Sequence, residues 1–218
     1  MPTALIIGAS RGIGLELVRQ YQADGWRVVA TARSEADCKK LVRLHAQAFQ
    51  LDVTSAESIA ALGWNLDGEQ FDAAFINAGV FGPRHDGFPT EVEFDLVMHT
   101  NVLAAMRLLP LIAPMAARLA VLSSVLGSMG ARDGCHATLY RASKAALNSV
   151  LVDCSIKHGP RGVISVAFHP GWVKTDMGGE NAEIEVDTSV AGMRKTLAGL
   201  TSADNGTFLN YDGTTIAW

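Results

Sequence analysis

Seven short runs rich in apolar and β-branched residues, ALIIG, RVVATA, AFQLDV, FDAAFINAG, RLAVLSS, VISVAFHPG and GTFLNYDG, recur along the chain with helical periodicity between them. A strand with one wet face alternates apolar with polar residues, whereas a continuous apolar run needs cover on both faces. The pattern therefore predicts βαβ crossovers and a doubly wound α/β architecture, with about seven parallel strands in one sheet and helices on either side. With 218 residues, 49% of them hydrophobic, the chain can bury one ordinary core. No repeat, charge run or Pro/Ser-rich linker divides it, so residues 1–218 are read as a single domain.

Helix starts carry their own signals. Ser34-x-x-Asp37 and Thr90-x-x-Glu93 each place a hydroxyl three residues before a carboxylate, the spacing with which a side-chain oxygen satisfies an orphan amide at a helix N-terminus.

Bulk charge excludes some partners. A formal net charge of -4 offers no positive field for phosphate backbones, so nucleic acid is not expected. The apolar run from Leu108 to Ala117 is about half a bilayer span and holds Pro110 and Pro114. Met1 leads directly into TALIIG without a basic segment, which reads as a first strand and not a signal peptide, and predicts a cytoplasmic protein with no membrane partner. Cys38, Cys135 and Cys154 are widely spaced and form no CxxC pair, so neither a disulfide framework nor a metal site is expected. Cys135 lies in a Gly-rich stretch where a thiol would be open to reaction.

The first predicted strand ends in GASRGIGLEL. Gly8, Gly12 and Gly14 let the chain turn tightly and let a pyrophosphate approach backbone N–H groups at a helix N-terminus. At the end of the second strand, an NAD site usually carries an acid for the ribose 2′-hydroxyl; here the residues are Ala32 and Arg33. Arg33 and Arg11 can converge on a 2′-phosphate through charge-assisted bonds, so NADP(H) is the expected cofactor. In LDVT, read as the end of the third strand, Asp52 is placed to accept from an adenine amine and Val53 to cover the ring. Asp52 would serve equally as the N-cap of the helix beginning near Ser55. Asn77 in NAG reads as a structural tie and Gly79 as room for the adenosine ribose, at the sheet edge where such folds bind ligands.

Tyr140 and Lys144 stand four apart, on one helix face, in a chain with three tyrosines and six lysines. A phenol is a poor proton donor at neutral pH, and a nearby ammonium is expected to lower its pKa into a usable range. Upstream, AVLSS ends in Ser123 and Ser124, one of which can hydrogen-bond a carbonyl oxygen that receives the proton. The other is a strand cap.

In their order GASRGIG, LDV, NAG, Asn101 in HTNVL, LSSVLGS, YRASK and HPGWVKTDM, these motifs resemble the short-chain dehydrogenase/reductase family over nearly the whole chain. The wording of SSVLGSMG, YRASKAALN, HPGWVKTDMGG and NYDGTTIAW is most similar to its C-factor and sniffer-type carbonyl reductases. The resemblance implies a Rossmann-type domain, with Tyr140 as general acid/base, Lys144 holding the ribose and lowering the tyrosine pKa, and Ser124 anchoring the substrate oxygen. Asn101 would hold a proton-relaying water. Val173 and Thr175 would fix the nicotinamide carboxamide, and Ser10, Ile13, Ala78, Pro170 and Gly171 complete the implied cofactor contacts. His169 is read as packed or solvated, not catalytic.

One departure stands out. Ser124 and Tyr140 are 16 positions apart, longer than is common in the family, with GARDGCHATL holding the extra residues as a substrate-side loop. The lid DMGGENAEIEV is short and carries Glu180, Glu183 and Glu185, which disfavours anionic substrates; Trp172 beside it is either an apolar wall or core. The expected activity is NADPH-dependent reduction of an aldehyde, ketone or quinone by a cytoplasmic homodimer. The alternatives are a nicotinamide-binding signalling protein with little turnover and an NAD-linked alcohol dehydrogenase.

Overall fold

Thr3–Ile7 (β1), Arg27–Ala32 (β2), Gln47–Gln50 (β3), Ala73–Ile76 (β4), Arg118–Leu122 (β5), Ile164–His169 (β6) and Phe208–Asn210 (β7) form one parallel sheet in the order β3-β2-β1-β4-β5-β6-β7. The computed structural model describes residues 1–85 and 87–218. All seven apolar runs became strands. β3 stops at Gln50, so Asp52 and Val53 lie in the loop beyond it and do not end the strand as expected.

The helices are Gly12–Ala23 (α1), Glu35–Arg43 (α2), Ala56–Asn65 (α3), Glu91–Met98 (α4), Ala104–Ile112 (α5), Thr138–His158 (α6) and Val186–Gly199 (α7). They cover both faces. In β1, Leu5 and Ile7 point into a core shared with α3, α5 and α6, while Ala4 and Ile6 point into one shared with α1, α2 and α7. That two-sided burial is why the strands read as unbroken apolar runs, each fully buried large side chain contributing roughly 1.5–3 kcal/mol.

Capping follows the local grammar. Ser34 accepts from the Asp37 amide, and Thr90 and Glu93 form a complete capping box. The cap of α3 is Ser55, which accepts from the Ser58 amide. Asp52 is not that cap: one of its oxygens holds the Thr54 amide at 2.9 Å and hydroxyl at 2.7 Å.

Two features of the α4–α5 region were not read from the sequence. His99–Leu103 between the helices is π-helical and carries Asn101. The continuous helical run Glu91–Met115 also has the length and mean hydropathy, 1.5, of a membrane span, although half of its most apolar window is buried inside the fold. Val97, Val102, Ala105, Leu108 and Ile112 supply that buried side.

Candidate active site

The strand order reverses between β1 and β4, and the loops leaving their carboxyl ends open the crevice in which doubly wound folds bind ligands. The glycine loop is locked against NAG there. The Asn77 side chain donates to the Gly8 carbonyl at 2.6 Å, the structural tie expected of it. Gly8 has φ +87° and its α-carbon faces Ala78 so closely that a Cβ would lie 2.9 Å from the Ala78 backbone.

Arg11 occupies the N-cap of α1 without making a side-chain cap, and the first turn carries no acid. By contrast, α2, α3 and α4 all have hydroxyl caps. The first amides of α1 are thus left to an external acceptor, the arrangement that suits an anion. Ser10, Gly12 and Ile13 complete this turn, with Gly12 at φ +53° and facing Thr175 Cγ2. Val53 and Ala78, also expected to meet the cofactor, pack in part against the core beside them.

Each of the two arginines faces a carboxylate here. Arg33 is exposed beyond β2, close enough to Asp52 to help hold its carboxyl below the usual range, although the Thr54 bonds dominate that shift. Arg11 instead pairs with Asp176 at 2.8 Å, joining the glycine loop to the lid. Both members are well exposed, so the pair is worth little to stability.

α6 carries Tyr140 and Lys144 on its buried side, as their spacing required. Their electrostatics differ from expectation. Burial pushes the Tyr140 phenol up to about 12, opposed by the facing Ser124 hydroxyl, and Lys144 does not lower it. The ammonium lies 5.6 Å from the centre of the tyrosine ring and donates to the Leu122 carbonyl at 2.7 Å. Burial holds Lys144 down at about 8, with no carboxylate among the described residues contributing to its value. The dehydrated environment, not the neighbouring cation, sets the phenol.

Ser123 and Ser124 separate cleanly. Ser123 donates to Asn148 Oδ1 at 2.5 Å and is turned into the core under α6. Ser124 caps the short turn Val125–Gly127 through the Leu126 amide and keeps its hydroxyl near Tyr140. Asn148 completes a Tyr140-x-x-x-Lys144-x-x-x-Asn148 ladder on one helix face, and the repeated spacing of four was the signal that could have revealed it.

Asn101 is held by both the loop after β4 and α6. Its Oδ1 accepts from the Val80 amide at 2.8 Å, and both Nδ2 hydrogens are taken, by the Val80 carbonyl at 2.8 Å and the Ser143 hydroxyl at 3.0 Å. Gly79 lies against this knot: a Cβ there would sit 3.3 Å from Asn101 Oδ1 and 3.4 Å from Lys144 Nζ.

Phe81 escaped the sequence reading altogether. Its ring stacks on Tyr140 with centroids 4.6 Å apart, and the Arg84 guanidinium covers the ring at 4.7 Å. Arg84 also donates to the Met177 carbonyl at 2.6 Å, so the loop after β4 braces both the tyrosine and the lid.

Beyond β6, Pro170 and Gly171 lead into Val173 and Thr175. The Pro170 carbonyl is held by Ser189 at 2.5 Å, and Val173 is buried. Trp172 is not core: it is half exposed and its indole donates to the Gly178 carbonyl at 2.9 Å, pinning the lid. Of the lid acids, Glu185 pairs with Lys174, whereas Glu180 and Glu183 are exposed. His169 is neutral at physiological pH because burial holds it down at about 4. The three cysteines are free thiols, Cys135 exposed and Cys154 buried.

A family model described as short chain dehydrogenase matches residues 2–185. The chain belongs to the short-chain dehydrogenase/reductase family. Among solved structures, it is similar to a family member from Burkholderia multivorans with bound NADP, at 33% identity and a TM-score of 0.90, covering 100% of this chain and 99% of that one. It is similar to the NADPH-bound carbonyl reductase from chicken fatty liver, at 33% identity and a TM-score of 0.88 with the same coverage. The carbonyl reductase Sniffer of D. melanogaster matches over the full length of both chains, at 28% identity and a TM-score of 0.90. As a family member, the chain has the short-chain dehydrogenase/reductase Rossmann fold that its motifs implied.

Proposed function

We propose that this protein is an NADPH-dependent carbonyl reductase acting on an aldehyde, ketone or quinone. The observation that carries the reading is the buried Tyr140 phenol facing the Ser124 hydroxyl, with the Lys144 cation behind it, at the sheet edge that also holds the uncapped start of α1.

The residues present fit NADP(H). The uncapped α1 amides suit a pyrophosphate, and the buried Lys144 ammonium, without a carboxylate partner among the described residues, suits ribose hydroxyls. Ala32 and the exposed Arg33 leave the 2′-position free of a competing acid, and Arg11 can exchange Asp176 for a phosphate. The likeness to two structures that hold NADP or NADPH supports the same choice. Asp52, Asn77, Ala78 and Gly79 would border the adenosine, and Pro170, Gly171, Val173 and Thr175 the nicotinamide end.

When bound, the reduced nicotinamide supplies a hydride from C4 to the carbonyl carbon. Tyr140 donates its phenolic proton to the carbonyl oxygen, and Ser124 hydrogen-bonds that oxygen as charge develops on it. A phenol held up at about 12 keeps its proton across neutral pH, the protonation state that reduction requires. Lys144, its ammonium 5.6 Å from the centre of the Tyr140 ring, would hold the ribose beside the phenol. Asn101 ties Val80 to Ser143 and so fixes the loop after β4 against α6 beside Lys144.

The direct test follows NADPH absorbance with a panel of quinones, aromatic aldehydes and diketones, repeated with NADH. Oxidation of NADPH by at least one class, and slower use of NADH, is expected. Tight NADPH binding without turnover of any of them would instead fit a nicotinamide-binding regulatory protein, and preference for NADH with alcohol oxidation would fit an NAD-linked dehydrogenase.

Lys144 also has a stability signature. Its folded pKa, about 8, lies below the ordinary lysine value of 10.5, so in this window the unfolded chain binds more protons and stability rises with pH. Relative to Lys144→Met, the wild type should gain on the order of 3 kcal/mol between pH 8 and 10.5. Chemical denaturation of both proteins across that range measures it; parallel curves would contradict a buried, unpaired ammonium.

We further read the molecule as a cytoplasmic homodimer. Val92, Leu96, His99, Leu103, Met106 and Pro110 recur every three or four residues along the 91–115 run, and Val92, Leu96 and Met106 are at least half exposed. A second copy packed on this stripe would bury it. Sedimentation velocity of the wild type and Leu96→Asp separates dimer from monomer. Three free thiols, one of them exposed, suit a reducing compartment.

A further inference from the structure

The longest buried side chain that the chemistry above leaves unused is Arg141, 1% exposed and immediately after Tyr140. Its Nε donates to the His136 carbonyl at 2.8 Å, and its Nη2 meets Asp133 Oδ1 at 3.4 Å. The asymmetry of this pair is informative: the guanidinium is 1% exposed, the carboxylate 85%. A buried cation with one solvated partner is a poor source of stability, and an apolar side chain of similar volume would fill the space without desolvating a charge. What the guanidinium adds is direction. Both of its partners belong to the loop between Ser124 and Tyr140.

The rest of that loop has little packing of its own. Residues 129–133, 135 and 136 are exposed, and Ala137 turns through a left-handed conformation, φ +53°, into α6. At the other end, Ser128 donates to the Ala217 carbonyl at 2.5 Å and accepts from the Ala131 amide at 2.8 Å, while the Gly130 amide donates to the Trp218 carbonyl at 2.7 Å. Trp218 is itself seated on Phe208, with ring centroids 5.4 Å apart. Polar anchors at both ends, and not an apolar core, hold the loop. It begins just after Ser124 and ends just before Tyr140, so it borders any carbonyl compound held between their hydroxyls.

We propose that Arg141 is a positioning residue for substrate selection, holding the 129–137 loop through His136 and Asp133 so that the loop forms the outer wall for bulky carbonyl substrates. The proposal rests on the reductase reading above. A small aldehyde reaches Ser124 and Tyr140 without touching this wall; a fused-ring carbonyl cannot.

The test uses the full chain with NADPH and compares propanal with a naphthoquinone in the wild type, Arg141→Lys, Arg141→Met and Asp133→Ala. Arg141→Met should raise KM for the naphthoquinone by about tenfold while kcat/KM for propanal and the Kd for NADPH stay within about twofold. Arg141→Lys keeps the charge but not the fork, and Asp133→Ala removes only the exposed partner; both should move the same ratio by about threefold. If Arg141→Met fails to fold, these two carry the test. Amide hydrogen exchange over residues 130–137, with NADPH bound, should quicken in each variant while α6 beyond Lys144 stays protected. Equal losses for both substrates, or an unchanged KM ratio with unchanged loop exchange, would overturn the proposal. A wild type that turns over neither of these carbonyls nor any member of the panel above overturns the reductase reading and the selectivity role together, while loop exchange still decides whether Arg141 holds the loop.

Discussion

Tyr140→Phe is expected to lower kcat for carbonyl reduction by about 10²- to 10⁴-fold while leaving the Kd for NADPH within about threefold. The substitution removes one oxygen and little else. The ring is buried and stacked on Phe81, and phenylalanine can keep that stack, so the slot should remain formed. What disappears is the proton donor facing Ser124. Lys144 keeps its bond to the Leu122 carbonyl, because that bond does not pass through the phenol, and its hold on the ribose should therefore persist. Stopped-flow measurement of the hydride step, together with NADPH fluorescence titration, separates the two effects. A variant that retains most of its turnover would remove Tyr140 from the chemistry.

Gly14→Ala should be among the most damaging single methyls in the molecule. A Cβ at this position would lie 2.1 Å from the Gly8 carbonyl oxygen and 2.6 Å from Asn77 Nδ2, the two ends of the bond that ties the glycine loop to NAG. Neither can yield as a flexible side-chain tip would: one is backbone and the other is hydrogen-bonded to it. The α1 N-terminus must move away, taking its free amides with it. Stability should fall by about 3 kcal/mol, or about 10 °C in melting temperature, and NADPH should bind about a hundredfold more weakly as the pyrophosphate loses aligned donors. Gly199→Ala is the control, since nothing lies within 4 Å of its added methyl. Differential scanning calorimetry and fluorescence titration of both variants check the contrast. Equal behaviour of the two would mean that the glycine loop tolerates side chains and is not built for close approach.

Residues whose role depends on near neighbours in sequence were legible in advance. The caps at Ser34 and Thr90 work over three residues, and Tyr140 and Lys144 share a face because a helix repeats every 3.6 residues. Asn77 could be read as a tie because NAG ends a strand beside the glycine loop in any such sheet. By contrast, Asp52 had two readings that local spacing could not separate, and Ser55 proved to hold the cap. Phe81 carried no motif at all. Its position over Tyr140 follows from a loop that crosses 59 residues of chain to meet α6, as the two residue numbers imply.

The amino-acid order by itself determined the parallel sheet, its two covered faces, the glycine turn into α1 and the placing of Tyr140 and Lys144 on one helix. These follow from periodicity and from contacts within a few residues, which the chain satisfies wherever it folds. Only the tertiary structure decided that Ser123 turns to Asn148, that burial pushes the phenol's pKa up, that Arg11 pairs with Asp176, and that Arg141 reaches back to the loop before it. Each of these depends on desolvation or on a partner brought near by packing, and neither quantity is encoded in the spacing of residues along a strand or a helix.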